Sequence, residues 1–347
     1  MTRSTAFSLT GKPVPEEQDP QRRSREASDR GALRHLEGDL AAAEAEYQAA
    51  LATNPENATA HNNLGFLLAQ QGKLDEAIGH YEIALTIDPA RSMALANLGI
   101  ARAAQGQVEQ GIALLRRAVD ADARNAIAWE NLAKLLMGTG LTGDAEAAWQ
   151  RVLELTPERP GAMTALATLI ALRGDLAEAV DLLRRAVTAD PGYAAAWTQL
   201  GVILFLRQDL GSATDVLERA LKLNPEDDTA RYHLALVRLA RGDRDGARTE
   251  LKTILEHEPG HVAAEIDLAV LALPDGNAAE ALERLERALS GEPDNQRARF
   301  YRALALEGLG RAADAREELT RLSGEDGPKY PERARAYLAQ FDGTARP

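Results

Sequence analysis

The chain has 347 residues with 40 Lys+Arg against 53 Asp+Glu, and its formal charge of −13 argues against phosphate backbones and anionic membranes as partners. It has no cysteine, which removes disulfides, thiolate metal sites and cysteine nucleophiles from consideration. Aromatic residues make up only 4% while alanine is abundant, a balance that favours closely packed helices over an all-β core.

The opening stretch "MTRSTAFSLTGKPVPEEQDPQRRS" is polar and carries Pro13, Pro15 and Pro20 without the apolar run of a secretory signal. Residues 1–23 are therefore expected to form a disordered tail. No apolar run approaches a bilayer span, so a soluble, cytoplasmic protein is expected.

From Ser24 the sequence falls into nine rows of 34 residues that fill 24–329 without an insertion. Pro55, Pro89, Pro157, Pro191, Pro225, Pro259 and Pro293 share one column, with Ala123 and Gly327 in its two gaps. A second column holds glycine in every row except the sixth, which has Gln208; a third, from Ala43 to Ala315, is alanine except for Gly111. A fourth, from Gly31 to Ala303, is glycine or alanine throughout. The small columns let two helices approach, the glycine column turns the chain between them, and the proline column ends the second helix. In row two, Leu64, Leu67 and Leu68, then Leu74, Ile78, Tyr81 and Leu85, recur at helical spacing. Each row therefore predicts a hairpin of two short helices.

The two end rows put Arg30 and Arg302 where the other seven put leucine, which leaves the first helix of row one weakly apolar. Row four has a loose turn, "MGTGLTGD", and row eight has Pro274 near the end of its first helix. Row seven contains "HEPGH" at 257–261, which spells the His-Glu-x-x-His pattern of zinc proteases. That pattern needs both histidines on one helix face, and Pro259, the repeat proline, and Gly260 make a continuous helix unfavourable there. The pair reads as an inter-repeat turn, with no metal site expected. "AQQGK" at 69–73 lacks the first glycine of a phosphate loop, and no catalytic constellation or cofactor site emerges. After row nine, "PERARAYLAQF" at 331–341 sets Ala334, Tyr337, Leu338 and Phe341 on one face, predicting a helix that covers the last hairpin.

The period, the Leu64-Gly65 pair, the Gly72 turn, Ala77, Tyr81, Ala84-Leu85 and Asp88-Pro89 resemble the tetratricopeptide repeat family. The resemblance implies an all-α fold: a right-handed α-solenoid of nine helix-turn-helix repeats over 24–329, then a capping helix and tail over 330–347. It also implies a concave groove lined by repeat positions 2, 5, 6, 9, 12 and 13 of each first helix.

At position 6, Asn63, Asn97 and Asn131 stand one repeat apart, a ladder able to donate to and accept from an extended peptide backbone. Gln199 and His233 continue that column. Large apolar residues fall on groove positions farther along: Val202 and Phe205, then Tyr232, Leu236 and Leu239, then Phe300 and Tyr301. Because burying one such side chain outweighs a neutral hydrogen bond, the expected anchor lies in rows six to nine and the alignment in rows two to four. The basic residues that family members use to clamp a C-terminal carboxylate are missing from the corresponding positions. The chain is thus expected to be a monomeric, non-catalytic scaffold that holds a segment of a partner protein, binding neither nucleic acid nor membrane. The alternative is an accessory subunit that presents substrates to a separate modifying or biosynthetic enzyme.

Overall fold

The computed structural model describes residues 19–327 and 329–344. Most of the 1–23 tail lies outside them. Within the described residues there are nineteen helices and no strand. They are α1 (Pro20–Leu36), α2 (Leu40–Thr53), α3 (Ala58–Gln70), α4 (Leu74–Ile87), α5 (Ser92–Ala104), α6 (Val108–Ala121), α7 (Ala126–Gly138), α8 (Thr142–Leu155), α9 (Pro160–Leu172) and α10 (Leu176–Ala189). The remainder are α11 (Ala194–Leu206), α12 (Leu210–Leu223), α13 (Asp228–Ala240), α14 (Arg244–His257), α15 (Val262–Ala272), α16 (Ala278–Gly291), α17 (Gln296–Gly308), α18 (Ala312–Ser323) and α19 (Tyr330–Thr344). None is long and apolar enough to cross a membrane. Two compact units divide inside α9, between Leu169 and Ile170.

Helix starts are written by two capping columns. At position 34 of a row, Asn57, Asn125, Asp227 and Asn295 each accept the third following backbone N–H and open a first helix. Asp39, Asp175, Asp209 and Asp243 do the same for second helices. The intervening turn needs a left-handed residue, which glycine supplies in eight rows and Gln208 in the sixth, at φ 63°. Packing inside the hairpin depends on the small column: a Cβ on Gly65 would lie 2.8 Å from the ring of the buried Tyr81.

Position 4 ties four of the first helices to the turn before them. His61, Trp129, Trp197 and Arg231 each reach back to the carbonyl six residues earlier, at Pro55, Ala123, Pro191 and Pro225. The same position pairs with a residue nineteen later on the second helix: His61 with His80, Arg231 with Glu250, Glu265 with Arg284 and Arg299 with Glu318. Row three puts the buried Leu95 and Leu114 at these two positions.

Unit one packs α1 on α2 and α3, α3 on α4 and α5, and α5 on α6 and α7. In unit two, the cores between α13 and α15, and between α15 and α17, are built on Leu251, Leu268 and Leu285, all buried. At the end, α19 lays Ala334, Tyr337 and Leu338 on α17 and α18, as its apolar face predicts. Structure begins earlier than the row pattern: α1 takes in Pro20–Arg23, helped by Asp19 capping the N–H of Gln21. The HEPGH pair straddles a turn, as expected. His257 ends α14 against Asp228 at 3.0 Å, while His261 caps α15 by accepting from the N–H of Ala264.

Candidate functional site

In unit one, α3, α5 and α7 carry Asn63, Asn97 and Asn131 at one repeat position, all half-buried. Two of the three are joined through a residue the sequence reading left out of the ladder. Asn97 Nδ2 donates to Asn62 Oδ1 at 3.0 Å, and Asn62 Nδ2 donates to Asn63 Oδ1 at 3.1 Å. This chain of amides leaves the Nδ2 protons of Asn63 at one end and the Oδ1 of Asn97 at the other. Asn131 stands outside it, its side-chain amide without a hydrogen-bond partner among the described residues. Asn62 was recognisable as the first half of the "Asn-Asn" pair in row two, and its burial explains why it organises the neighbours.

The same face exposes large apolar side chains: Phe66 (44%), Met93 (41%), Ile100 (40%) and Ile127 (53%), with Met137 near the end of α7. They occupy positions 2, 9 and 12 of rows two to four. Exposed apolar side chains scattered singly mean little, but a cluster on one face marks an interaction surface. Between the helix starts lies an open cleft of about 730 Å³, bordered by Asn62, Asn63, Arg91, Met93, Arg124 and Ile127. Its scaffold is fixed by Asn125, whose Nδ2 lies 2.8 Å from Ser92 Oγ and 3.4 Å from the sulfur of Met93.

Next to this face the His61–His80 pair is held in a defined tautomer. The Pro55 carbonyl can only accept, so His61 carries its proton on Nε2, and its Nδ1 accepts from His80 Nδ1 at 2.9 Å. Burial lowers both histidine pKa values; for His80 the neighbouring ring adds to the effect, with Glu76 opposing it.

The residues expected to anchor a ligand in rows six to nine sit differently. On α11, Gln199, Val202 and Phe205 are half-buried, with Leu206 exposed beside them. On α13, His233 turns its Nδ1 to the Thr229 carbonyl at 2.9 Å and meets the rings of Phe205 and Tyr232 edge-on. Leu236 is half-buried, while Leu239 and Tyr232 pack on the core between α13 and α15.

Tyr232 then closes a polar network: its hydroxyl donates to Asp267 at 2.8 Å, and Arg297 pairs with the other oxygen of that carboxylate, which is only 3% exposed. Burial, followed by the Asp267 charge, pushes the Tyr232 hydroxyl well up. Burial works against the Arg297 guanidinium, but Asp267 more than compensates and raises it. On α17, Phe300 is 4% exposed, covered by Tyr330 and Tyr337 of α19 with Arg333 over its ring at 5.1 Å. Tyr301 packs between the last two clusters. Phe300 is thus buried beneath α19, while Tyr232, Leu239 and Tyr301 are half-buried and pack on neighbouring helices.

Two sequence profiles described as tetratricopeptide repeat match the chain, one over 37–92 and 131–194, the other over 68–130, 171–236, 204–265 and 272–340. Among solved structures, the APC/C hetero-tetramer Cut9–Hcn1 is similar at 16% identity and TM-score 0.60, over 77% of this chain and 52% of that one. PilF of Pseudomonas aeruginosa is similar at 18% identity and TM-score 0.53, over 58% of this chain and 92% of that one. A repeat protein from Parabacteroides merdae is similar at 19% identity and TM-score 0.50, over 70% and 95%. No curated protein matches the sequence. At such identities the likeness is one of fold.

Proposed function

The chain belongs to the tetratricopeptide repeat family, and from that premise we propose that it is a non-catalytic interaction protein whose α3–α5–α7 face holds an extended segment of a partner. The observation that supports this reading is the coincidence on one face of exposed apolar side chains and amides with unused hydrogen-bonding capacity. An extended backbone offers an N–H and a C=O at every residue, and a carboxamide can answer both. Apolar anchors supply most of the affinity, since covering one large side chain yields about 1.5–3 kcal/mol against roughly 0.5–1.5 for a neutral hydrogen bond. This moves the anchor from the later rows to Phe66, Met93, Ile100 and Ile127.

Peptides selected from a random displayed library should lose at least about tenfold in affinity when Ile127→Ser is introduced, by isothermal titration. Leu206→Ser, on the other unit, should leave the same titration unchanged. The reverse pattern would move the binding face to α11, and insensitivity to both would remove the reading altogether.

A further inference from the structure

The inference that follows rests on the α3–α5–α7 reading and specifies what that face takes. Arg91 and Arg124 border the cleft at the turns into α5 and α7. The position of Arg124 holds Glu56, Glu158, Glu226 and Asp294 in other rows, and at the position of Arg91 row four has Arg159, which is paired with Glu130. Two guanidiniums thus gather where Met93 and Ile127 are exposed, in a chain that carries −13 overall.

Their bonding differs. Arg91 is positioned by the Thr59 hydroxyl and lies 3.6 Å from Asp88, with about a quarter of its side chain still exposed. Arg124 is exposed, and among the described residues its guanidinium makes no ion pair. The one carboxylate bordering the cleft, Asp122, is engaged by the Arg124 backbone N–H at 2.9 Å. The chain's distant carboxylates are screened beyond a Debye length of about 8 Å at physiological ionic strength, whereas Arg124 would touch the ligand.

We propose that the segment held in this cleft is an internal, extended stretch of a partner protein in which apolar side chains stand next to carboxylates, the apolar ones seated on Met93 and Ile127 and a carboxylate received by Arg124 with Arg91 behind it. An arginine suits this task because its planar fork can meet both oxygens of a carboxylate. Successive side chains of an extended segment point to opposite sides, so an apolar anchor and its acidic neighbour reach different walls of one cleft.

The test uses the full-length protein and fluorescein-labelled decapeptides with acetylated and amidated ends, read by anisotropy. They are alternating Leu–Asp, Leu–Asn, Leu–Lys and Ser–Asp, with a Leu–Asn peptide bearing a free C-terminus as a fifth. Leu–Asp should bind about tenfold tighter than Leu–Asn, with Leu–Lys and Ser–Asp weaker still. Arg124→Ala should bring Leu–Asp down to the Leu–Asn level, and the circular dichroism of that variant should be unchanged. Equal binding of Leu–Asp and Leu–Asn, both weakened by Ile127→Ser, would overturn the acidic assignment and leave the groove reading standing. A gain for the free C-terminus that depends on Arg124, without a Leu–Asp preference, would replace the internal segment with a chain end. Binding of no peptide, or binding insensitive to Ile127→Ser, would overturn the proposal and the groove reading together.

Discussion

The first helices of unit one and unit two carry the same repeat positions and use them in opposite ways. At position 6, Asn63, Asn97 and Asn131 are half-buried amides with donors and acceptors to spare. The same position in row eight is Asp267, almost fully buried and held by Tyr232 from the row before and Arg297 from the row after. A carboxylate cannot be left buried without partners, so the chain supplies them from both sides and the position is consumed. A carboxamide carries no net charge and tolerates partial hydration. Its position stays available. Repeat register therefore says where a residue points, and its charge decides whether neighbours close over it.

The strongest way to break this contrast is Asp267→Ala, which leaves Arg297 and the Tyr232 hydroxyl without their shared acceptor. We expect a loss of about 3 kcal/mol, the low end for a broken buried pair because Arg297 retains some contact with water. Asn131→Ala, at the same repeat position in unit one, should stay within about 0.5 kcal/mol. Urea unfolding of the full chain reads both, and equal effects would dissolve the distinction.

Next in size is Gly65→Ala, beneath the unit-one face. The added methyl would meet the Tyr81 ring at 2.8 Å and the Ala77 carbonyl at 3.0 Å, and overpacking of this kind costs about 1–3 kcal/mol. Ile127→Ser, on the face itself, should leave the melting temperature unchanged, which separates scaffold from surface.

The His61–His80 pair sharpens the contrast by pH. Both groups have folded pKa values below the unfolded value near 6.5, so the unfolded chain takes up protons first as pH falls. Their contribution to stability is complete above about pH 6.5 and declines as the solution becomes more acid. The double change His61→Leu and His80→Leu, copying Leu95 and Leu114 of the next row, should flatten the melting temperature over that range. An unchanged acid limb would show that other groups carry it. The smallest effect is Gln208→Gly, which relieves a left-handed side-chain-bearing residue and should add about 0.5–1 kcal/mol of stability in calorimetry.

The period and its small, glycine and proline columns were enough to read the hairpins from the sequence, because each column answers a local requirement of one turn or one helix pair. The C-terminal helix was legible for the same reason. The ladder positions were legible too, but the bond through Asn62 was not, since it depends on which amide lies deepest between α3 and α5. In the later rows the size of a side chain did not tell how far its neighbours cover it. Phe300 is large at a groove position, yet α19 arrives from outside the repeat pattern and covers it. Arg297 and Asp267 are charged at such positions, yet they neutralise one another across a row boundary that the column pattern does not register. Phe66, Met93, Ile100 and Ile127 stand at positions 2 and 9 of rows two to four, and it is their exposure, which the column pattern does not register, that sets them apart.

The pairing of position 4 with the residue nineteen later confines a varied set of contacts, two histidines or an arginine with a glutamate, to a single hairpin. A gene segment encoding one hairpin therefore carries both halves of its own lock, and duplication or deletion of a whole segment would leave every such couple intact. Sequence drift can then change a rung from ionic to greasy without asking permission of the rungs above and below, which makes this arrangement a tolerant substrate for lengthening or shortening by recombination.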